Sequence, residues 1–102
     1  MNTEGENHGT TDTTTGNTLT LNKNYTRQTN ENIITINKTI TINGQGYTLN
    51  ANKQSEIFRI TSGKVILENM TITNSNGGSD ITIQNGANVT ENNINATATH
   101  HW

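Results

Sequence analysis

The stretch TITINGQGYTLNA, residues 39–51, alternates small polar and large apolar residues, breaks at Gly44-Gln45-Gly46 and then resumes. Side chains two apart on a strand share one face. Ile40 and Ile42, and after the break Leu49, are therefore placed for burial, with the threonines on the opposite face. Gly-Gln-Gly between them reads as a corner at which the chain changes direction.

The same apolar pair recurs outward from this stretch, as Leu19/Leu21 before it and as Phe58/Ile60 and Ile81/Ile83 after it. The second members of the four pairs are 21, 18 and 23 residues apart. A second track runs through Tyr47/Leu49, Val65/Leu67 and Val89, and a weaker third through Met70/Ile72 and Ile94. Turn-forming NGQG, TSGK, NSNGGSD and QNGAN separate them. Three short strands per repeat at roughly 20-residue spacing is the pattern of a β-solenoid, in which stacked coils bury one continuous apolar column. The competing architecture is a meander of antiparallel hairpins, for which Asn-Gly at 43–44 and 85–86 is suited.

Composition agrees with a turn-rich β-protein. The chain has 102 residues, 27% hydrophobic, against roughly 45% in ordinary soluble domains. Its formal net charge is only −2, so charge repulsion does not hold it open. It has 21 Thr, 19 Asn and 12 Ile against 4 Leu; β-branched residues suit a pleated surface and Asn suits turns. Without cysteine there are no disulfides or thiolate metal sites. No run approaches the length of a membrane span, and the near-neutral charge gives no reason to expect nucleic acid. MNTEGENHGT has neither the basic nor the apolar region of a secretory leader, so export implies a fragment or another route. Residues 1–17 read as a disordered arm or linker, 18–95 as the coils, and 96–102 as a frayed or truncated tail.

Residues 37–75, NKTITINGQGYTLNANKQSEIFRITSGKVILENMTITNS, resemble the repeat of right-handed parallel β-helix proteins. An I-x-I-x-G-x-G strand and turn leads to I-F-x-I, and a V-x-L-x-N-x-T-I strand pair follows. With LTLNKNYT (19–26), the wider match looks like the adhesin-like surface proteins of gut methanogens. Pectate-lyase-like enzymes and polymorphic outer-membrane proteins share such repeats. The resemblance implies an all-β fold, a short right-handed single-stranded parallel β-helix of about three coils. It also implies a non-enzymatic, extracellular or cell-surface role contacting carbohydrate or a host or cell-surface protein. It carries over no catalytic residue and no cofactor. The expected core is Leu19, Leu21, Ile40, Ile42, Leu49, Phe58, Ile60, Val65, Leu67, Met70, Ile72, Ile81, Ile83, Val89 and Ile94.

Sites of chemistry are sparse. Glu68 and Glu91 lie 23 residues apart; a coil of that length stacks them about 4.8 Å apart, close enough to share a proton. A 24-residue register instead places Val89 on Val65 and Glu91 on Leu67. NGGSDITI (76–83) has only one copy of a glycine-rich calcium-loop pattern and reads as a turn. Of the histidines His8, His100 and His101, the adjacent C-terminal pair points apart on a strand with no acidic partner nearby, no metal site is suggested, and Trp102 has no strand pattern around it. Asn24, Asn37, Asn69, Asn88 and Asn95 are candidate N-glycosylation acceptors, although so many Asn, Ser and Thr give about five such sequons by chance. T-x-T at 13–15, 18–20, 39–41, 71–73 and 97–99 raises ice binding, which needs ranks in register on successive coils; by sequence these do not align. Arg59 is expected to pair with Glu56 on the surface. No aromatic platform marks a sugar site, since Phe58 is read as core and only Tyr25 and Tyr47 remain. Two further functions stand beside the adhesin-like one: a fragment of a polysaccharide-degrading enzyme and an ice- or surface-binding solenoid. The open edge after Ile94 is expected to invite edge-to-edge self-association.

Overall fold

The computed structural model describes residues 12–29, 31–76, 80–96 and 99–101. Among them the chain forms strands β1 (Asp12–Thr15), β2 (Thr18–Leu21), β3 (Tyr25–Thr26), β4 (Ile34–Ile36), β5 (Ile40–Asn43) and β6 (Thr48–Asn50). They continue with β7 (Phe58–Ile60), β8 (Gly63–Thr73), β9 (Ile81–Ile83), β10 (Ala87–Asn95) and β11 (Thr99–His101), and there is no helix among the described residues. From β2 onward every pairing is parallel and joins one coil to the next. The fold is a β-solenoid of about three turns, not a meander.

Each turn has three sides. The first stacks β2, β5 and the leading halves of β8 and β10. The second stacks β3, β6 and the trailing halves of β8 and β10. The third stacks β4, β7, β9 and β11. Leu19 lies beside Ile42 and Ile42 beside Leu67 on the first side. Tyr25, Leu49 and Ile72 form a column on the second, and Ile36, Ile60 and Ile83 on the third. These side chains are buried in one cluster. Fully burying a Leu or Ile stabilises by about 1.5–3 kcal/mol relative to exposure. A chain this polar folds because nearly all its large apolar side chains enter one column.

The repeat is longer than the sequence spacing suggests. Equivalent positions are 23 or 25 residues apart from Leu19 through Ile42 to Leu67, and 24 or 23 from Ile34 through Phe58 to Ile81. The four apolar pairs that read as one track belong to two sides: Leu19/Leu21 and Ile40/Ile42 to the first, Phe58/Ile60 and Ile81/Ile83 to the third. Val65/Leu67 continue the first side, and Leu49 sits on the second. Ile34/Ile36 supply the third-side pair that the sequence spacing omits.

Corners form with few loop residues. Asn69 (φ 54) lies inside β8 and Asn93 (φ 57) inside β10, each at the junction of two sides. Asn tolerates this left-handed conformation better than most residues, so one residue turns the chain. The Gly44-Gln45-Gly46 corner rests on the Asn69 corner: Gly44 N–H donates to Glu68 O at 2.8 Å and Gly46 N–H to Asn69 O at 2.7 Å. A side chain at Gly44 would meet Asn69 O and Met70 Cβ at 2.5 Å, which requires glycine there.

Ordered strands extend past both expected boundaries. β1 falls within the segment expected to be an arm, and it folds back antiparallel on β2, with Thr13 opposite Thr20 and Thr15 opposite Thr18. It occupies the edge of the first coil although it carries no apolar residue. Residues 1–11 lie outside the described residues. At the other end Thr99–His101, within the expected tail, pair with Ile81–Ile83. Two expected core residues, Val89 and Ile94, are only half-buried; among the described residues no strand covers the outer edge of β10.

Candidate functional site

What the solenoid offers a partner is its outward side chains, and the three sides differ. On the first, Thr18–Thr41–Ile66–Thr90 and Thr20–Asn43–Glu68–Asn92 form adjacent columns. Ile66, 37% exposed, interrupts the first column, and Glu68 introduces a charge into the second. On the third, Arg59 stands between Thr35 and Thr82.

The second side is uniform. Thr48, Thr71 and Asn95 form one outward column and Thr26, Asn50 and Thr73 the other. Asn24 extends the first column by accepting the Thr48 N–H on Oδ1 at 2.9 Å. Neighbours along a column are about 4.8 Å apart, and the two positions on one strand about 6.6 Å apart. Every one of these seven residues is Asn or Thr, exposed or half-buried, and none is charged. Each hydroxyl both donates and accepts, and each amide carries two N–H donors, while the Asn24 and Asn50 Oδ1 atoms already accept bonds within the fold. Asn74 Nδ2 donates to Asn50 Oδ1 at 3.2 Å, and Asn93 Nδ2 to Asn69 Oδ1 at 3.1 Å, so asparagines on successive coils hold one another at the edges of this side. The face is a preorganised grid of neutral hydrogen-bonding groups.

Beside it lies a polar cluster that the sequence does not reveal. Arg27, only 7% exposed, donates to Glu31 O through Nε and Nη2 at 3.2 Å each. Its Nη1 reaches Glu56 O at 3.3 Å and Ser55 Oγ at 3.4 Å on the next coil. Tyr25, 5% exposed, donates its hydroxyl to Glu31 Oε2 at 2.7 Å. Burial first, then the hydrogen bond to Glu31 and its charge, raise the Tyr25 phenol well above the usual tyrosine range. Tyr25 therefore offers no platform for a sugar ring. Glu56 accepts Thr82 Oγ1 at 2.7 Å and pairs with Arg59 at 3.6 Å. Burial pushes its carboxyl up, but the Thr82 hydroxyl, Arg59 and nearby backbone and Ser55 donors outweigh that and hold it below the ordinary carboxylate range. Glu31 and Glu56 are thus held in structural bonds. No single segment signals the cluster, because Arg27 finds Ser55 and Glu56 only when the coils stack.

The other candidates separate. The 24-residue register places Asn92 beside Glu68 and Glu91 beside Leu67, so Glu68 and Glu91 do not stack. Among the described residues no group of three or more His, Asp or Glu could hold a metal. Asn24, Asn37, Asn69, Asn88 and Asn95 are all exposed. The T-x-T ranks do not align on successive coils. Thr13/Thr15 and Thr18/Thr20 do stand opposite each other, because β1 folds back on β2. The next rank is Thr41/Asn43 and the one after it Ile66/Glu68, so the threonine array stops there. His8, residues 77–79 and Trp102 lie outside the described residues. No helix among the described residues is long and apolar enough to cross a membrane. No protein family, curated protein or solved structure matches the chain.

Proposed function

We propose that the chain is a non-enzymatic, adhesin-like segment of an extracellular or cell-surface protein, and that the second side of its solenoid contacts neutral carbohydrate. The observation that carries this is the two-column grid of Asn24, Thr26, Thr48, Asn50, Thr71, Thr73 and Asn95, uninterrupted by charge or apolar bulk. Saccharide hydroxyls need closely spaced donors and acceptors on a surface that does not rearrange on binding. Parallel stacking supplies such groups at fixed spacing. The engagement of Glu31 and Glu56 in the corner cluster favours a binding surface over acid–base chemistry at that corner.

A glycan array carrying neutral and acidic glycans tests the proposal. The folded chain is expected to be retained on neutral glycans, and the Thr48→Arg/Thr71→Arg variant to lose retention while keeping its far-UV spectrum. Equal retention of the variant, or no retention of the folded wild type, overturns it.

A further inference from the structure

We propose that Asn85 is a site of spontaneous succinimide-mediated modification, and that Asn43, in an identical Asn-Gly step, is protected by the fold. This proposal is independent of carbohydrate binding. The chemistry is the attack of a glycine amide nitrogen on the preceding Asn Cγ. The C–N bond forms, ammonia leaves, and a five-membered imide results. Water then opens the imide at either carbonyl to give aspartate or isoaspartate. The balance is amide plus water to carboxylate plus ammonium, with no oxidation or reduction. The step needs a side-chain amide free to rotate and a glycine nitrogen not engaged as a donor.

The two steps differ on both counts. Gly44 is buried, and its N–H donates to Glu68 O at 2.8 Å. Asn43 Oδ1 accepts the Gln45 N–H at 3.0 Å, which pins the side chain. A side-chain atom placed on Gly44 would meet Asn69 O at 2.5 Å, so the corner has no room to swing. At the other step Asn85 and Gly86 are exposed. They are the middle residues of a turn closed by Ala87 N–H donating to Gln84 O at 3.2 Å. Among the described residues neither the Gly86 amide nor the Asn85 side chain makes a hydrogen bond. A side-chain atom on Gly86 would meet nothing within 4 Å. The extra backbone carbon of isoaspartate fits such an open corner. Conversion adds a negative charge there, beside a chain of formal net charge −2.

The test incubates the full chain, folded and urea-denatured, in mildly alkaline buffer. Peptides containing Asn43 and Asn85 are then quantified by mass spectrometry, and isoaspartate by enzymatic methylation. The third Asn-Gly step begins at Asn76, and its peptide is scored separately. In the folded chain Asn85 is expected to convert at least about tenfold faster than Asn43, because Gly44 must first give up a buried hydrogen bond. In the denatured chain the two rates are expected to converge. Equal rates in the folded chain overturn the proposal. So does an intact Asn85 in the folded chain when the denatured chain converts it readily.

Discussion

Substituting Gly63 by alanine probes the closest approach between coils. Gly63 has φ 92, and a methyl there would lie 2.5 Å from the carbonyl carbon and oxygen of Lys38 and 2.9 Å from the Thr39 nitrogen. These are backbone atoms of the preceding coil, so no rotamer relieves the overlap. Ordinary contact begins at 3.4 Å, and the coils must part by about 0.9 Å at this corner to reach it. Alanine in a left-handed conformation costs about 1–2 kcal/mol, and overpacking a closed site a further 1–3, roughly. The expected loss is therefore about 2–5 kcal/mol, against a total stability of about 5–15 kcal/mol for a domain. Two other glycines separate the contributions. Gly86 has φ 96 and open space around it, so Gly86→Ala should cost only the conformational part, about 1–2 kcal/mol. Gly44 is not among the positive-φ residues but is tightly enclosed, so Gly44→Ala should cost the contact part, about 1–3 kcal/mol. Urea unfolding followed by far-UV circular dichroism, with unchanged m values, reads all three. A Gly63→Ala loss no larger than that of Gly86→Ala refutes the close packing of the coils at this corner.

Ile60→Asp buries a carboxylate between Ile36 and Ile83 at a fully buried position; loss of the β-type far-UV signal is expected, and a variant that keeps it contradicts the inward register. Arg27→Lys keeps the charge but loses the fork that reaches Glu31, Ser55 and Glu56, so a loss of about 2 kcal/mol in urea unfolding is expected, and an unchanged midpoint contradicts the role given to the cluster. The Glu56 carboxyl sits below its ordinary range in the folded chain. Its contribution is present above the unfolded-state pKa and is lost as pH falls through the folded one. The urea midpoint should therefore drop on acidification through the carboxylate range. Thr82→Val should flatten that drop, and an identical pH profile in the variant counts against the Thr82–Glu56 bond. The Tyr25 phenol is raised, so its contribution is complete below the ordinary tyrosine pKa and is lost as pH rises past it; Tyr25→Phe should reduce the alkaline loss measured in the same way.

The alternation of Ile40/Ile42, Phe58/Ile60 and Ile81/Ile83 makes the strands legible, because i, i+2 burial is a local property. Which side of the coil each pair occupies is not local. All three sides use the same apolar alternation, so pairs from different sides read as one track with too short a period. Ile34/Ile36 follow Ile33 directly, and the resulting run obscures their alternation. Val65/Leu67 and Met70/Ile72 read as two strands, and Asn69, at φ 54 within Gly63–Thr73, is the residue that turns the chain between them. The capping strand Asp12–Thr15 has no apolar residue, so the alternation that marks the other strands is missing there; it pairs with β2, and Asn22 Nδ2 donates to Thr13 Oγ1 at 2.9 Å. The Asn/Thr grid was legible only as composition; its two columns exist because a 23- or 24-residue coil sets Asn50 beside Thr26 and Thr73. Tyr25 and Arg27 look like surface residues until the next coil brings Ser55 and Glu56 to Arg27, and the loop returns Glu31 to both.

Parallel stacking of the coils underlies the grid, the corner cluster and the protection of Asn43, and nuclear Overhauser effects in solution test it most directly. Parallel stacking predicts backbone contacts from Thr41 to both Thr18 and Ile66, and from Arg59 to both Thr35 and Thr82. Contacts instead between residues 40–43 and 47–50, paired antiparallel across the Gly44–Gly46 turn, would show a hairpin and contradict the solenoid.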